Sequence, residues 1–566
     1  MKTISKFSLV LILAGSLCPA SAQVTLTRVL EGDIAEDTGY FMGCAWGDYD
    51  QDGNVDLFVC NSLANFGSAT NRLYRNNGNG TFTRITTGTV VNERADSSTA
   101  VWGDFDNDGD PDLFVSNYAS PARDFFYRNE GDGTFTKVPQ GAWVTDSSSG
   151  IGAAWGDYDN DGYLDLFVAN SANLNDFLYH NNGDGTTTKV TTGPVPNAGG
   201  RSIGCAWADY DGDGDLDLFV ANTGMPGQSG QQSFQFRNEG NGVFTRILTG
   251  APGTHVGYSS GVAWGDYDND GDLDLFVSDW LDNNRLYRND GTSGFLLITE
   301  GAIVSDGGSS ISAAWGDYDN DGYLDLFIAR TRSDYTGENN LLYHNEGDGT
   351  FSPVTEGAVV NDGGRSFGCA WADFDNDGDL DLFVANGGSW TSPLQPGESG
   401  FLYRNDGGTN NGMLVRLVGT VSNRSAIGAK VRVKATIQGK TFWQLREISG
   451  GSGYCSQNDL RAHFGLGNAT NVEIVRIEWP SGIVQELRDV PAKQILTVTE
   501  PARLLAVGPG AFRIQSWKGQ AFEVQMSADL GQWSPVTTVT NLTGTLDYTD
   551  AAAGPLTQRF YRVVSR

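Results

Sequence analysis

A chain of 566 residues with a formal charge of -32 has room for several folded units, and its acidity argues against nucleic acid as a partner. Its 75 glycines, with 29 Phe, 20 Tyr and 14 Trp, suit many short strands joined by tight turns, and no long helical stretch is evident. The acid is unevenly placed: residues 1–411 hold 20 Lys and Arg against 58 Asp and Glu, whereas residues 412–566 hold 17 against 11.

Residues 1–22 read as a signal peptide. Lys2 and Lys6 precede an apolar run from Phe7 to Leu17, and Ala20-Ser21-Ala22 offers a small-residue cleavage site before Gln23. The mature protein is therefore expected to be secreted, periplasmic or at the cell surface. Cys18 follows Leu17, where a lipid-attachment motif wants a small residue, and no later stretch is long and apolar enough to span a membrane.

Residues 23–410 write D-x-D-x-D-G-x-x-D seven times, each copy between a Trp-Gly or Trp-Ala step and a Leu-Phe-Val or Leu-Phe-Ile strand. With position seven included, the first ladder is Asp48, Asp50, Asp52, Asn54 and Asp56, and the second is Asp104, Asp106, Asp108, Asp110 and Asp112. The third is Asp157, Asp159, Asp161, Tyr163 and Asp165; the fourth is Asp209, Asp211, Asp213, Asp215 and Asp217. The fifth is Asp266, Asp268, Asp270, Asp272 and Asp274; the sixth is Asp317, Asp319, Asp321, Tyr323 and Asp325. The seventh is Asp373, Asp375, Asp377, Asp379 and Asp381. Successive ladders start 51 to 57 residues apart, the period of a propeller or solenoid.

Alternate carboxylates on a tight loop point inward together, the glycine permits the sharp turn, and the last aspartate returns from the next strand to complete an oxygen cage suited to calcium. About seven calcium ions are expected. Because Tyr163 and Tyr323 are tolerated at position seven, that position is read as offering its backbone carbonyl. An EF-hand shares the aspartates and glycine but needs a bidentate Glu at position twelve and flanking helices; here position twelve is Val59, Val115, Val168, Val220, Val277, Ile328 or Val384. These are therefore expected to be calcium loops between strands. Seven copies in strict register argue against acidic turns that merely solubilise the chain.

Four strand-like segments recur per repeat; in the third copy they are residues 151–155, 166–169, 177–180 and 186–190, the last after the turn Asn182-Gly183-Asp184-Gly185. Four antiparallel strands make one propeller blade. The seventh copy lacks its fourth strand, and residues 24–29 match that strand in character, so the N-terminus is expected to close a seven-bladed ring. Cys44, Cys205 and Cys369 share a repeat position held elsewhere by Ala153, Val262 or Ala313 and read as small core residues. Cys44 and Cys60 are symmetric about Asp52 and could face each other across the hairpin as a disulfide.

These residues resemble the FG-GAP/VCBS repeats of integrin α-chain propellers and of many secreted bacterial proteins. Retention of all seven loops is closer to the bacterial proteins.

Residues 411–500 change character: Leu414-Val-Arg-Leu-Val418 and Ala429-Lys-Val-Arg-Val-Lys434 alternate as strands, and no ladder recurs. The segments Ile427-Gly-Ala-Lys-Val431, Gly451-Ser-Gly-Tyr-Cys-Ser-Gln457, His463-Phe-Gly-Leu-Gly467 and Glu478-Trp-Pro-Ser-Gly482, with Gln494, resemble the ASPIC/UnbV domain that follows such repeats in cartilage acidic protein and its bacterial relatives. Residues 501–566 read as a small β-domain, similar to immunoglobulin- or fibronectin-like tails and too short to bury much core alone, so docking on a neighbour is expected. The fold class is thus all-β: a seven-bladed β-propeller with calcium loops, a β-rich ASPIC/UnbV domain and a small β-sandwich-like domain.

No catalytic motif is present. His180 and His344 stand where other repeats have Arg75, Arg128 and Arg288, His255 is in a Gly-rich loop, and a solitary His463 reads as a structural hydrogen-bonding residue. The seven tryptophans from Trp46 to Trp371 resemble the docking motifs of quinoprotein propellers, but each directly precedes a ladder, where packing explains it. The favoured reading is a calcium-rigidified scaffold for binding or adhesion to an extracellular protein or glycan. Its candidate recognition loops are 61–71, 223–232, 330–340 and 387–399, with Met225, Tyr335 and Trp390, helped by the basic strand from Lys430 to Lys434. The alternative is a calcium-dependent lyase or dehydratase acting on carbohydrate, for which Arg201, Arg365 and His255 would have to converge.

Overall fold

The computed structural model describes residues 24–63, 67–118, 123–225, 227–250, 252–387, 396–508, 510–517, 519–550 and 559–565. The signal-peptide reading and Trp390 lie outside the described residues.

The fold is all-β and propeller-like. Each ladder joins the first and second strands of a four-stranded antiparallel unit; in the third unit these are Gly150–Gly156, Asp165–Asn170, Phe177–Asn181 and Thr187–Val190. The Leu-Phe-Val strands are buried on both faces because neighbouring units pack against each side, so they read as unbroken apolar runs. First strands lie against one another from unit to unit, and Thr38–Gly47 of the first also lies against Ser366–Ala372 of the seventh. A register shift interrupts every first strand, as between Gly150 and Gly152, and bends it.

Leu26–Arg28 pairs antiparallel with Phe401–Asn405, Thr27 opposite Arg404, and so provides the fourth strand of the seventh unit. Deleting residues 24–29 is expected to expose that edge and cause aggregation, measured by light scattering on the truncated chain; a monomeric, cooperatively melting truncation would contradict the pairing's importance.

Between the fourth strand and the next unit, sequence reading misses one-turn helices such as Thr89–Asn92 and Ala142–Thr145. They tuck Val90, Val91, Trp143 and Val144 into the core, but four residues are too few to show a helical period.

The five cysteines of the described residues are unbridged and buried, which corrects the Cys44–Cys60 disulfide. Cys44 pairs opposite Val59, so Cys60, one residue further, points to the other face of the sheet.

After the repeats, Asn411–Val418, Ala462–Gly467 and Ile495–Thr499 form one sheet, and Lys430–Ile437, Lys440–Glu447, Asn471–Glu478 and Val484–Pro491 form another. Val431, Val433, Phe464, Val475 and Ile477 pack between them, continuous with a core that includes Trp155 and Leu166 of the third unit. Two three-stranded sheets follow, built around Phe512, Ile514, Phe522 and Val524. This last part docks as expected: Trp517 donates its indole N–H to the Gly419 carbonyl at 3.2 Å and sets its ring edge against Tyr163, 5.5 Å between centroids.

Candidate metal centres and the face that covers them

Each ladder is held by its own backbone. The position-one carboxylate accepts the N–H of the glycine at position six, as Asp104 does from Gly109 at 2.8 Å and Asp317 from Gly322 at 2.9 Å. That glycine has φ between +91° (Gly53) and +107° (Gly109), a region closed to most side chains. The position-five carboxylate accepts the N–H of position seven, as in Asp161 from Tyr163 at 2.9 Å. The position-nine aspartate, 0–1% exposed in all seven copies, clamps the loop to the sheet. Asp112, for example, accepts the N–H of Phe105 at 3.0 Å and that of Asn129 on the third strand at 2.8 Å.

Oxygens from Asp48, Asp50 and Asp56, from Asp104, Asp106 and Asp108, and from Asp157, Asp159 and Asp161 each converge within 4.8 Å. Burial, reinforced by neighbouring carboxylates, pushes Asp56 and Asp104 up to about 8, and Asp112, Asp157, Asp217, Asp274, Asp317, Asp325 and Asp381 well above the ordinary range. Buried oxygens of Asp48, Asp159 and Asp375 have no hydrogen-bond partner. Crowded, desolvated carboxylates with unused lone pairs fit a hard divalent cation.

The side chains at position seven do not join these clusters. Asp110, Asp215 and Asp379 accept instead from Gln51, Asn160 and Asn320, the position-four residues of the preceding ladders, and Asn54 accepts from Asn376 of the seventh. Tyr163 and Tyr323 lie against Gly183 and Gly347, and Asp272 lies beside Gly291. Position four, where it is Gln or Asn rather than Gly212 of the fourth copy, is thus a link between ladders, which the sequence reading did not assign.

His180 and His344 belong to the ladders. Each places Nδ1 3.2 Å from the position-nine carboxylate, Asp165 or Asp325, and 3.4 Å from Asp159 or Asp319. The Asp165 hydrogen bond raises His180 to about 9. Arg75 does similar work for Asp50 and Asp52.

Asparagines on the third strands staple adjacent units. Asn129 donates to Tyr49 O and Asn181 to Phe105 O of the preceding unit, and Asn76 donates to Phe374 O of the seventh. Six of the seven tryptophans donate their indole N–H to a carbonyl of the preceding unit, from Trp102 to Ala45 O through Trp46 to Ala370 O.

The ladder face is covered by the part that follows the repeats. Lys430 Nζ lies 2.7 Å from Asp209 Oδ2, Arg416 3.5 Å from Asp48, and Arg432 donates to Gly271 O at 3.1 Å. Arg461 donates to Asp373 O and Asn376 Oδ1, both at 2.6 Å, and His463 Nε2 to Gly378 O at 3.2 Å. Lys430, 7% exposed, and Arg432 are therefore spent on the ladder face, which corrects their assignment to an outside partner, whereas Lys434 is a third exposed and pairs with Glu473.

Residues 449–458 enter between the first strands as a plug. Gly450 O accepts from Trp155 N, Gly453 exchanges both backbone bonds with Val262, and Cys455 O accepts from Cys44 N. Gln457 Oε1 accepts from Trp102 N at 2.6 Å while its amide donates to Trp102 O at 2.9 Å, and Asn458 accepts from Trp371 N. Tyr454, 0% exposed, ends among Met42, Ile151, Ile203, Trp280, Ile311 and Phe367, contributed by six different units. Tyr335 is in the same cluster and 8% exposed, so it is no surface recognition residue.

Of the residues considered for catalysis, Arg365 is 1% exposed and ion-paired with Glu398 at 2.8 Å, while His255 Nε2 is 3.5 Å from Asp279. The Arg201 backbone N–H donates to Gln231. Among the described residues no helix is long and apolar enough to cross a membrane.

The FG-GAP-like repeat model matches residues 48–115, 116–168, 157–220, 227–277, 266–328 and 324–384, and the ASPIC and UnbV model matches residues 419–504. Cartilage acidic protein 1 of Mus musculus is 31% identical over 295 residues, covering 50% of this chain and 42% of its own; that of Homo sapiens is 31% identical over 297 residues, covering 50% and 41%. The chain thus spans about two fifths of the length of these relatives. Among solved structures, a fungal lectin from Aleuria aurantia, described as a six-bladed β-propeller, aligns with a TM-score of 0.34 and 11% identity over 57% of this chain and 99% of its own. AofleA from Arthrobotrys oligospora aligns with a TM-score of 0.34 and 11% identity over 56% and 88%. With matched repeats over more than half its length, the chain belongs to the FG-GAP repeat family and carries an ASPIC and UnbV domain.

Proposed function

We propose that the protein is an exported scaffold in which residues 23–410 form a closed seven-bladed propeller loaded with about seven calcium ions. Residues 411–500 act as a fitted lid on the ladder face and residues 501–566 as a third domain. Closure is supported by the bonds that join the seventh unit to the first, Asn76 to Phe374 O and Trp46 to Ala370 O. The aspartates at positions one, three, five and nine, with the carbonyl of position seven, would hold each ion. Calcium supplies charge neutralisation there, while the chain's own residues shape the loop: glycine at six turns it, and the position-nine carboxylate anchors it.

The covered ladder face is the observation that carries the binding reading. With that face and the axis filled by residues 411–500, the opposite ends of the units are left for a partner. The connections between second and third strands lie there. Leu174 and Met225, 44% and 41% exposed, stand on two of these connections, and Val256, 58% exposed, stands beside them. The connections are tied together by Gln231, which donates to Asn173 at 2.8 Å and pairs with Gly257. A partner of protein or glycan class fits an exported propeller related to cartilage acidic protein 1.

Replacing residues 223–232 by the shorter connection of the fifth unit is expected to weaken binding to an extracellular protein or glycan at least tenfold while leaving the calcium count unchanged. Arrays of matrix proteins and polysaccharides, probed with and without calcium, supply the measurement. Binding unaffected by the exchange would contradict this surface, and an unsaturated sugar product would replace the scaffold with a lyase.

A further inference from the structure

Six of the seven ladders hand a hydrogen bond to the next one along, the seventh to the first included. The position-four amide donates to the carbonyl of the glycine at position six of the following ladder, from Gln51 to Gly109 O at 3.0 Å through Asn376 to Gly53 O at 3.3 Å. These six residues stand at φ between +55° and +60°, a conformation that Asn adopts more readily than most side chains.

The fourth ladder breaks this series. Its position four is Gly212, at φ +75° with open space where a Cβ would stand, so it has no side chain to offer Gly271 of the fifth. The lid supplies the donor instead. Arg432 gives a guanidinium N–H to Gly271 O at 3.1 Å, and Glu478 on the neighbouring strand holds the guanidinium from 3.4 Å. Two residues earlier, on the same face of that strand, Lys430 Nζ grips the fourth ladder, 3.1 Å from Asp209 O and 2.7 Å from Asp209 Oδ2. One strand of the lid therefore straps together the two successive ladders that lack the bond.

We propose that Arg432 is the missing link of the series, so that calcium and the seated lid stabilise one another at the junction of the fourth and fifth ladders, a coupling that rests on the calcium loading proposed for the ladders. The carbonyl at position six and the proposed ligand carbonyl at position seven belong to consecutive residues, so a donor fixed on the first holds the second in place. Where that donor belongs to the lid, a seated lid favours the loop shape that holds the ion. By reciprocity, an ion in the fifth ladder favours the seated lid. Because Gly212 offers no amide of its own, this junction depends on the lid for a bond that the other six make within the repeats.

Calcium titration and limited proteolysis of the full chain across a calcium series test this. In the unaltered chain, protection of residues 411–500 is expected to rise over the calcium range in which the ladders fill. Arg432→Met keeps the stem and deletes the donors, and is expected to weaken one ion about fivefold and raise the calcium needed for lid protection by a similar factor, with the number of ions unchanged. Adding Gly212→Asn puts an amide like the other six within reach of Gly271 O, and is expected to restore that ion's affinity while the lid stays less protected. An unaltered chain that takes up no calcium would strike the calcium reading itself. Calcium uptake with lid protection indifferent to it, Arg432→Met matching the unaltered chain, or a double variant binding calcium no better than Arg432→Met would overturn the link alone. If Arg432→Met folds poorly, Gly212→Asn alone decides: its amide competes for Gly271 O and is expected to flatten the calcium dependence of lid protection, and an unchanged dependence overturns the link.

Discussion

Chelating calcium is expected to lower the melting temperature of the intact chain by roughly 10 °C or more at pH 7.5, and by far less at pH 5. Extracellular calcium loops bind at roughly 0.1 to 1 mM, so free calcium at ten times the dissociation constant adds about 1.4 kcal/mol per site. The seven proposed sites would then contribute on the order of 10 kcal/mol, as much as the whole stability of a typical domain.

The pH dependence follows from the raised carboxylates. Burial lifts Asp56 and Asp104 from 3.8 to about 8, and Asp266 and Asp373 to about 7, in the metal-free fold. An acid raised on folding binds more protons folded than unfolded, so metal-free stability falls as pH rises from about 4 towards 8. In the loaded protein protons compete with calcium for the same oxygens, and the metal's contribution fades as pH falls. The curves with and without chelator should therefore converge towards acid pH in scanning calorimetry. A gap of equal size at pH 5 and pH 7.5 would refute the idea that the ladders titrate in this way.

Gly450→Ala is expected to drive the plug out of the propeller. The new Cβ would lie 2.1 Å from the Trp155 carbonyl oxygen and 2.8 Å from its carbon, both backbone atoms of a strand fixed on either side. Neither can give way, so residues 449–458 must retreat and take with them the bonds of Gly453, Cys455 and Gln457. Tyr454→Ala tests the same contact more gently, emptying a fully buried aromatic site at a cost of about 3–5 kcal/mol. Limited proteolysis reads both: the lid should become cleavable within residues 411–500 while the repeats, still held by their ladders and inter-unit bonds, resist. A Gly450→Ala chain with the protease resistance and melting temperature of the unaltered protein would show that the plug is dispensable.

The repeats were legible because their physics is local. A ladder needs carboxylates at fixed offsets and a glycine where φ is near +100°, and these requirements are written within nine residues. Strand positions followed as directly: the third copy's expected segments differ from Gly150–Gly156, Asp165–Asn170, Phe177–Asn181 and Thr187–Val190 by one residue at each end or less. Residues 24–29 could be paired with the seventh unit because one strand was missing at one end and spare at the other.

What escaped is what depends on distant chain. Gly451 to Gln457 stood out as a motif, yet nothing in its residues says that six units surround Tyr454, because the axis exists only once the units are assembled. Lys430 to Lys434 read as a free basic face; that Lys430 meets Asp209, 221 residues earlier, is decided by docking. Tyr335 sat in a variable loop and proved buried for the same reason. By itself, then, the sequence determined seven acidic hairpin loops, their strands and the separation of acidic from basic halves, since each follows from short-range periodicity and charge. Only the tertiary structure decided that the basic half covers the acidic face and plugs its axis, since desolvation and charge pairing act between surfaces that lie hundreds of residues apart along the chain.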